Sequence, residues 1–93
     1  MIVAYVRTAR PSKEAQQAQE DEIAAAMPIA RVYRDTGSGL TTHQGLRDAI
    51  DSLAAGDVLA VVAADRLGRS AALYQQIVQE INRRGATITH GTE

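Results

Sequence analysis

Short apolar runs alternate with longer stretches of helical periodicity along the whole of this 93-residue chain. Ile2 to Val6 is an apolar run of strand length. Pro11 and Ser12 then open a predicted helix reaching about Met27, with Ser12 as its N-cap and Pro28 as its stop. This helix is rich in alanine, and Ile23 is its one large core candidate. A second strand is expected from Ala30 to Arg34, followed by the loop Asp35-Thr36-Gly37-Ser38-Gly39. Leu46, Ile50 and Leu53 recur at i, i+4 and i+7, which predicts a helix that Gly56 and Asp57 end. Val58 to Ala64 is almost continuously apolar, the signature of a strand buried on both faces. After Asp65-Arg66-Leu67-Gly68-Arg69, Ser70 caps a third helix. Its buried face is Leu73, Ile77 and Ile81, with Tyr74 and Val78 alongside, and Gly85 closes it. Ala86 to His90 makes a fourth short strand.

The order βαβαβαβ with right-handed crossovers predicts an α/β fold. The expected architecture is a three-layer sandwich around a central, mostly parallel four-stranded sheet, in one domain spanning residues 1–93. The hydrophobic content of 45% supports a packed core. That core must come from Ala, Val, Ile and Leu, because Phe and Trp are absent and Tyr5, Tyr33 and Tyr74 are the aromatic residues. So short a chain is expected to be modestly stable or to lean on a partner.

Charge and special residues narrow the chemistry. A net charge of -1 exerts no global pull toward nucleic acid or acidic membranes, so any phosphate site must be local. Lys13 is the only lysine and every other basic residue is arginine. Arginine forks phosphate bidentately, although codon bias in an Ala- and Arg-rich genome accounts for the excess equally well. The absence of cysteine excludes disulfides and thiolate chemistry. His43 and His90 lack metal-ligand spacing, so no metal site is expected from them. No apolar run approaches a membrane span and no signal-peptide pattern opens the chain, which makes the cytoplasm the default expectation.

In a parallel sheet every strand-to-helix loop leaves from one edge, where ligands bind at the point of strand-order reversal. That edge is expected to collect Arg7 and Arg10 after the first strand. Asp35 and Ser38 follow the second, and Asp65, Arg66 and Arg69 the third. Arginines and helix N-termini suit an oxyanion, with the aspartates orienting the guanidinium groups. The plain alternative is a solvated rim of surface ion pairs worth little.

Asp65-Arg66-Leu67-Gly68-Arg69-Ser70, after an apolar strand preceded by Gly56-Asp57, resembles the signature of the serine recombinases, the resolvases and invertases. Tyr5-Val6-Arg7 is similar to that family's opening Tyr-x-Arg motif. Asp35 with Ser38-Gly39 and then Gly45-Leu46 resembles its middle loop and following helix, and Gly85 and Thr92-Glu93 also fit. The resemblance implies DNA strand exchange without a metal or cofactor: a serine hydroxyl attacks a backbone phosphate and becomes linked to the 5′ end of the cut strand, while arginines neutralise the developing charge. By motif position, Arg7, Arg66 and Arg69 would clamp the phosphate, Asp65 would hold the arginines and Asp35 would support the site.

This chain departs from the pattern in three ways. The family's nucleophile position is Ala9, and a methyl group has no lone pair with which to attack phosphorus. Thr8 is expected to point to the other side of the strand end, and Ser12 to cap a helix. His43 stands where a further arginine is expected, and histidine cannot make the fork contact. The chain also stops at Glu93, before the family's dimerising, DNA-gripping helix and its usual separate DNA-binding domain. An apolar patch is therefore expected where that helix would pack.

Three readings follow. The first is a pseudoenzyme that keeps the phosphate rim and regulates, or pairs with, an active recombinase or a second copy of itself. The second is a fragment of an active serine recombinase or DNA invertase carrying a Ser-to-Ala substitution. The third is an unrelated small doubly wound ligand- or protein-binding domain, poorly supported because neither G-x-G-x-x-G nor a P-loop lysine pattern is present. On any of them, DNA binding by this chain alone is expected to be weak and without sequence specificity.

Overall fold

The computed structural model describes residues 1–8, 10, 12–36, 44–62 and 71–90. Its elements run β1 (Ile2–Thr8), α1 (Lys13–Ala26), β2 (Arg31–Thr36), α2 (Gln44–Ser52), β3 (Val58–Val61), α3 (Ala71–Arg83) and β4 (Thr87–His90). The strands form one sheet in the order β2-β1-β3-β4, and every neighbouring pair is parallel.

Alternation along β1 sorts its side chains between two cores. Ala4 and Val6 face α1 and pack with Ile23 and Ala60. Val3 and Tyr5 face the other way, into a larger cluster with Leu46, Ile50 and Leu53 around α2, and Ile77 and Ile81 of α3. The side chain of Leu73 lies outside the described residues. The result is the expected three-layer sandwich. Ile23 is the one fully buried side chain α1 contributes, and it shares its cluster with the small Ala4 and Ala60.

Several element ends differ from the sequence reading. β2 continues through Asp35 and Thr36, which pair with Arg7 and Thr8 of β1. A partner strand that runs this far extends the ladder whatever the polarity of the residues on it. β3 ends at Val61, and its pairing with β1 ends at Ala4 with Ala60. α1 ends at Ala26, where Met27 turns extended and gives its N–H to Ile23 O at 3.0 Å. Ser12 caps α1 as expected, its Oγ accepting Ala15 N–H at 3.1 Å. Gly85 adopts a φ of 78° after α3, with Gly85 N–H on Asn82 O and Ala86 N–H on Ile81 O, the paired bonds of a glycine-terminated helix. The expected cap Ser70 lies outside the described residues.

The turn from α2 into β3 is tied to the start of the chain. Asp57 accepts Ala54 N–H at 2.9 Å and the Met1 ammonium at 3.1 Å. These two donors hold its carboxyl below the usual carboxylate range. Among the described residues, no helix is long and apolar enough to cross a membrane. The anticipated apolar patch is not found among them either: Met1 is the large hydrophobic side chain they leave exposed. Tyr33, Tyr74 and Ile88 instead lie half-buried against the larger core.

Strand order locates the candidate site. The chain passes from β1 to β2 on one side, then back across β1 to β3 on the other. The reversal falls between β1 and β3, so the crevice lies beyond their carboxyl ends.

Candidate functional site

β1 delivers a charged residue to the end of an otherwise apolar strand. Arg7 follows Val3 and Tyr5 on the face turned toward α2, and its side chain is buried there. Directly alongside, β2 brings up Asp35 as the register partner of Arg7. The Tyr5 hydroxyl donates to Asp35 Oδ2 at 2.7 Å and accepts from Arg7 Nη1 at 3.1 Å. Arg7 Nη1 lies 3.8 Å from the same carboxylate oxygen. Burial, reinforced by the adjacent carboxylate, pushes the Tyr5 phenol well above its ordinary pKa. It therefore stays a neutral hydrogen-bond donor through physiological pH.

Asp35 has a second task. Its Oδ1 accepts Gly45 N–H at 2.8 Å and its Oδ2 accepts Leu46 N–H at 3.0 Å, so one carboxylate anchors the start of α2. The approach is close enough to require glycine. A Cβ on Gly45 would stand 2.4 Å from Arg34 O and 2.8 Å from Asp35 Oδ1. Asp35 thus couples an arginine, a phenol and a helix N-terminus in one buried cluster.

The nearby hydroxyls are engaged elsewhere. Thr8 Oγ1 donates to Arg10 O at 2.7 Å and accepts from Gln16 Nε2 of α1 at 3.2 Å, on the face of the sheet opposite Arg7. Ser12 Oγ is the helix cap. Arg10 is exposed at the strand end. Of the other expected site residues, Ala9, Ser38, His43, Asp65, Arg66 and Arg69 lie outside the described residues.

Two findings modify the picture of an open rim. Arg7 and Asp35 are buried, at 8% and 7% exposure, rather than splayed on a solvated edge. Several other arginines belong to the exterior: Arg34 pairs with Glu20, and Arg47 and Arg84 share Glu80 and Asp51 across α2 and α3. Arginine abundance therefore says little about the site; position does. The roles of Tyr5 and Gly45 were missed as site chemistry, although both residues carried the motif. A tyrosine two residues before a buried arginine shares its face, and that spacing is the signal.

A family description, Resolvase, N terminal domain, matches residues 2–93. The protein named "Probable DNA-invertase y4cG" from Sinorhizobium fredii (strain NBRC 101917 / NGR234) is 39% identical over 85 residues. The match covers 90% of this chain and 27% of that protein, so the chain spans just over a quarter of that relative's length. The crystal structure of the first ORF in transposon ISC1904 from Sulfolobus solfataricus P2 is similar with a TM-score of 0.75. That likeness covers 96% of this chain and 65% of the other, at 18% identity, and is a likeness of fold.

Proposed function

Because this chain belongs to the resolvase N-terminal-domain family, we propose that it is a serine-recombinase core domain that keeps a phosphate site but does not cut DNA itself. It acts in site-specific recombination by regulating or pairing with an active recombinase. The observation that carries this reading is the buried Tyr5–Arg7–Asp35 cluster at the strand-order reversal.

A cation held by a phenol and a carboxylate loses little freedom when a phosphoryl group arrives, which is the condition for electrostatic stabilisation. Arg66 and Arg69 complete the clamp by motif position, with Asp65 orienting them. Arg10, Ser38 and His43 contribute the outer rim. Cleavage needs an oxygen nucleophile among these groups, and the position that supplies it is Ala9. The engagement of Thr8 with Gln16 and Arg10, and of Ser12 with the start of α1, supports the view that neither replaces it.

The test is incubation of the chain with supercoiled plasmid, reading nicked DNA and 5′-linked protein–DNA adducts on denaturing gels. No adduct is expected from the unmodified chain. An A9S variant fused to the downstream segment of an active family member is expected to form one. Efficient cutting by the unmodified chain overturns the reading.

A further inference from the structure

We propose that Gln19 of α1 is a positioning residue for Arg7: its side-chain amide pairs with both backbone groups of Arg7 at the end of β1. This fixes the backbone from which the guanidinium projects. The functional consequence rests on the phosphate reading of Arg7 given above.

The direction of the backbone groups follows from the sheet. Met1 O accepts Val58 N–H on the β3 side, while Ile2 O accepts Ala30 N–H on the β2 side. In a strand of a parallel sheet, successive residues turn their N–H and C=O to alternate neighbours. Arg7 shares the parity of Met1, so both of its backbone groups point toward β3. The β1–β3 ladder, however, ends at Ala4 with Ala60. Backbone groups buried next to a crevice need hydrogen-bond partners, whatever element supplies them.

Gln19 meets both groups. Its Oε1 accepts Arg7 N–H at 3.2 Å and its Nε2 donates to Arg7 O at 2.8 Å. A glutamine amide offers the donor and acceptor of a peptide group, and so can stand in for a strand over one residue. Gln16, one turn earlier, gives Nε2 to Thr8 Oγ1 at 3.2 Å and to Thr36 Oγ1 at 3.0 Å, tying the ends of β1 and β2 together. Gln16, Gln19 and Ile23 recur at i, i+3 and i+7 on one helix face. α1 is therefore docked by one buried hydrocarbon side chain and two amides. Leucine at either position would serve packing alone; glutamine serves the backbone.

Arg7 is thus gripped twice. α1 holds its main chain from one side of the sheet, and Tyr5 with Asp35 holds its guanidinium from the other. Fixing a charged group at both ends is how a site keeps its geometry before ligand arrives.

The experiment uses the full chain and two variants, with amide hydrogen exchange by NMR and titration with inorganic phosphate followed at the Arg7 Nε–Hε signal. In Q19L the Arg7 amide is expected to exchange about tenfold faster while Val3 and Tyr5 amides are unchanged. Phosphate affinity is expected to fall by about tenfold. Q19E keeps the shape of glutamine and covers the case in which Q19L does not fold. As a carboxylate it cannot donate to Arg7 O, but as a neutral acid it can. Relative to the unsubstituted chain at the same pH, Q19E should show the Q19L defects at pH about 7 and recover both properties near pH about 4. Unchanged Arg7 exchange in Q19L, or a Q19E defect that does not respond to pH, overturns the proposal. If phosphate leaves the Arg7 signal of the unsubstituted chain unmoved while the exchange results hold, the phosphate reading has failed and the clamp has not.

Discussion

Gly45 shows how much one residue can carry here. Its φ is not positive, so backbone conformation is not what demands glycine; space is. A methyl group would press on the Arg34 carbonyl and the Asp35 carboxylate at once, and neither can retreat without breaking the β1–β2 ladder or the bonds to α2. G45A is therefore expected to cost about 1–3 kcal/mol, the range for overpacking a filled interior, read as a lower urea midpoint. D35A is expected to cost more, about 3 kcal/mol, because it removes the acceptor of the Gly45 and Leu46 N–H groups and of the Tyr5 hydroxyl and takes the carboxylate away from buried Arg7. Asp57 gives a pH signature. Its folded pKa lies below the ordinary value, so its stabilising contribution is complete above the unfolded pKa and is lost as pH falls through the folded one. Urea midpoints of the unsubstituted chain should thus decline as pH drops below about 4, and D57N should lack that part of the decline.

At the scale of elements, α1 is the weakly held layer. Ile23 is its one fully buried side chain, and truncating a fully buried isoleucine to alanine costs about 3 kcal/mol. I23A is expected to speed amide exchange throughout Lys13–Ala26 before β1, β3 or α3 is affected. A uniform change across the chain would count against it. The helix itself was legible from Ser12 and Pro28, and so was Ile23. Gln16 and Gln19 were not, because polar residues on a helix face read as solvated unless the facing strand has unpaired backbone groups. The end of β2 was misplaced for a related reason. Asp35 and Thr36 look like the start of a loop, and only the length of β1 makes them strand.

For the molecule as a whole, a net charge of -1 sets the terms of any encounter with DNA. Surface arginines already paired with Glu20, Glu80 and Asp51 add little attraction. No sequence-specific footprint is expected at physiological salt. Any binding seen in fluorescence anisotropy at low salt should disappear by about 0.2 M salt, as contacts to a few phosphates do. A specific footprint by the chain alone would contradict this. The radius of gyration, 12.1 Å, is close to the roughly 12 Å of a compact domain of this length.

Sequence by itself determined the order of strands and helices, the caps at Ser12 and Gly85, the family, and the placing of Arg7 and Asp35 at one sheet edge. These are matters of local periodicity, backbone sterics and motif spacing, all of which act over a few residues. Tertiary structure alone decided that Asp35 holds α2, that Tyr5 bridges it to Arg7, and that the Gln19 amide pairs with the Arg7 backbone. Those are hydrogen bonds between residues distant in the chain, and their partners are chosen by which groups the packed sheet brings within reach.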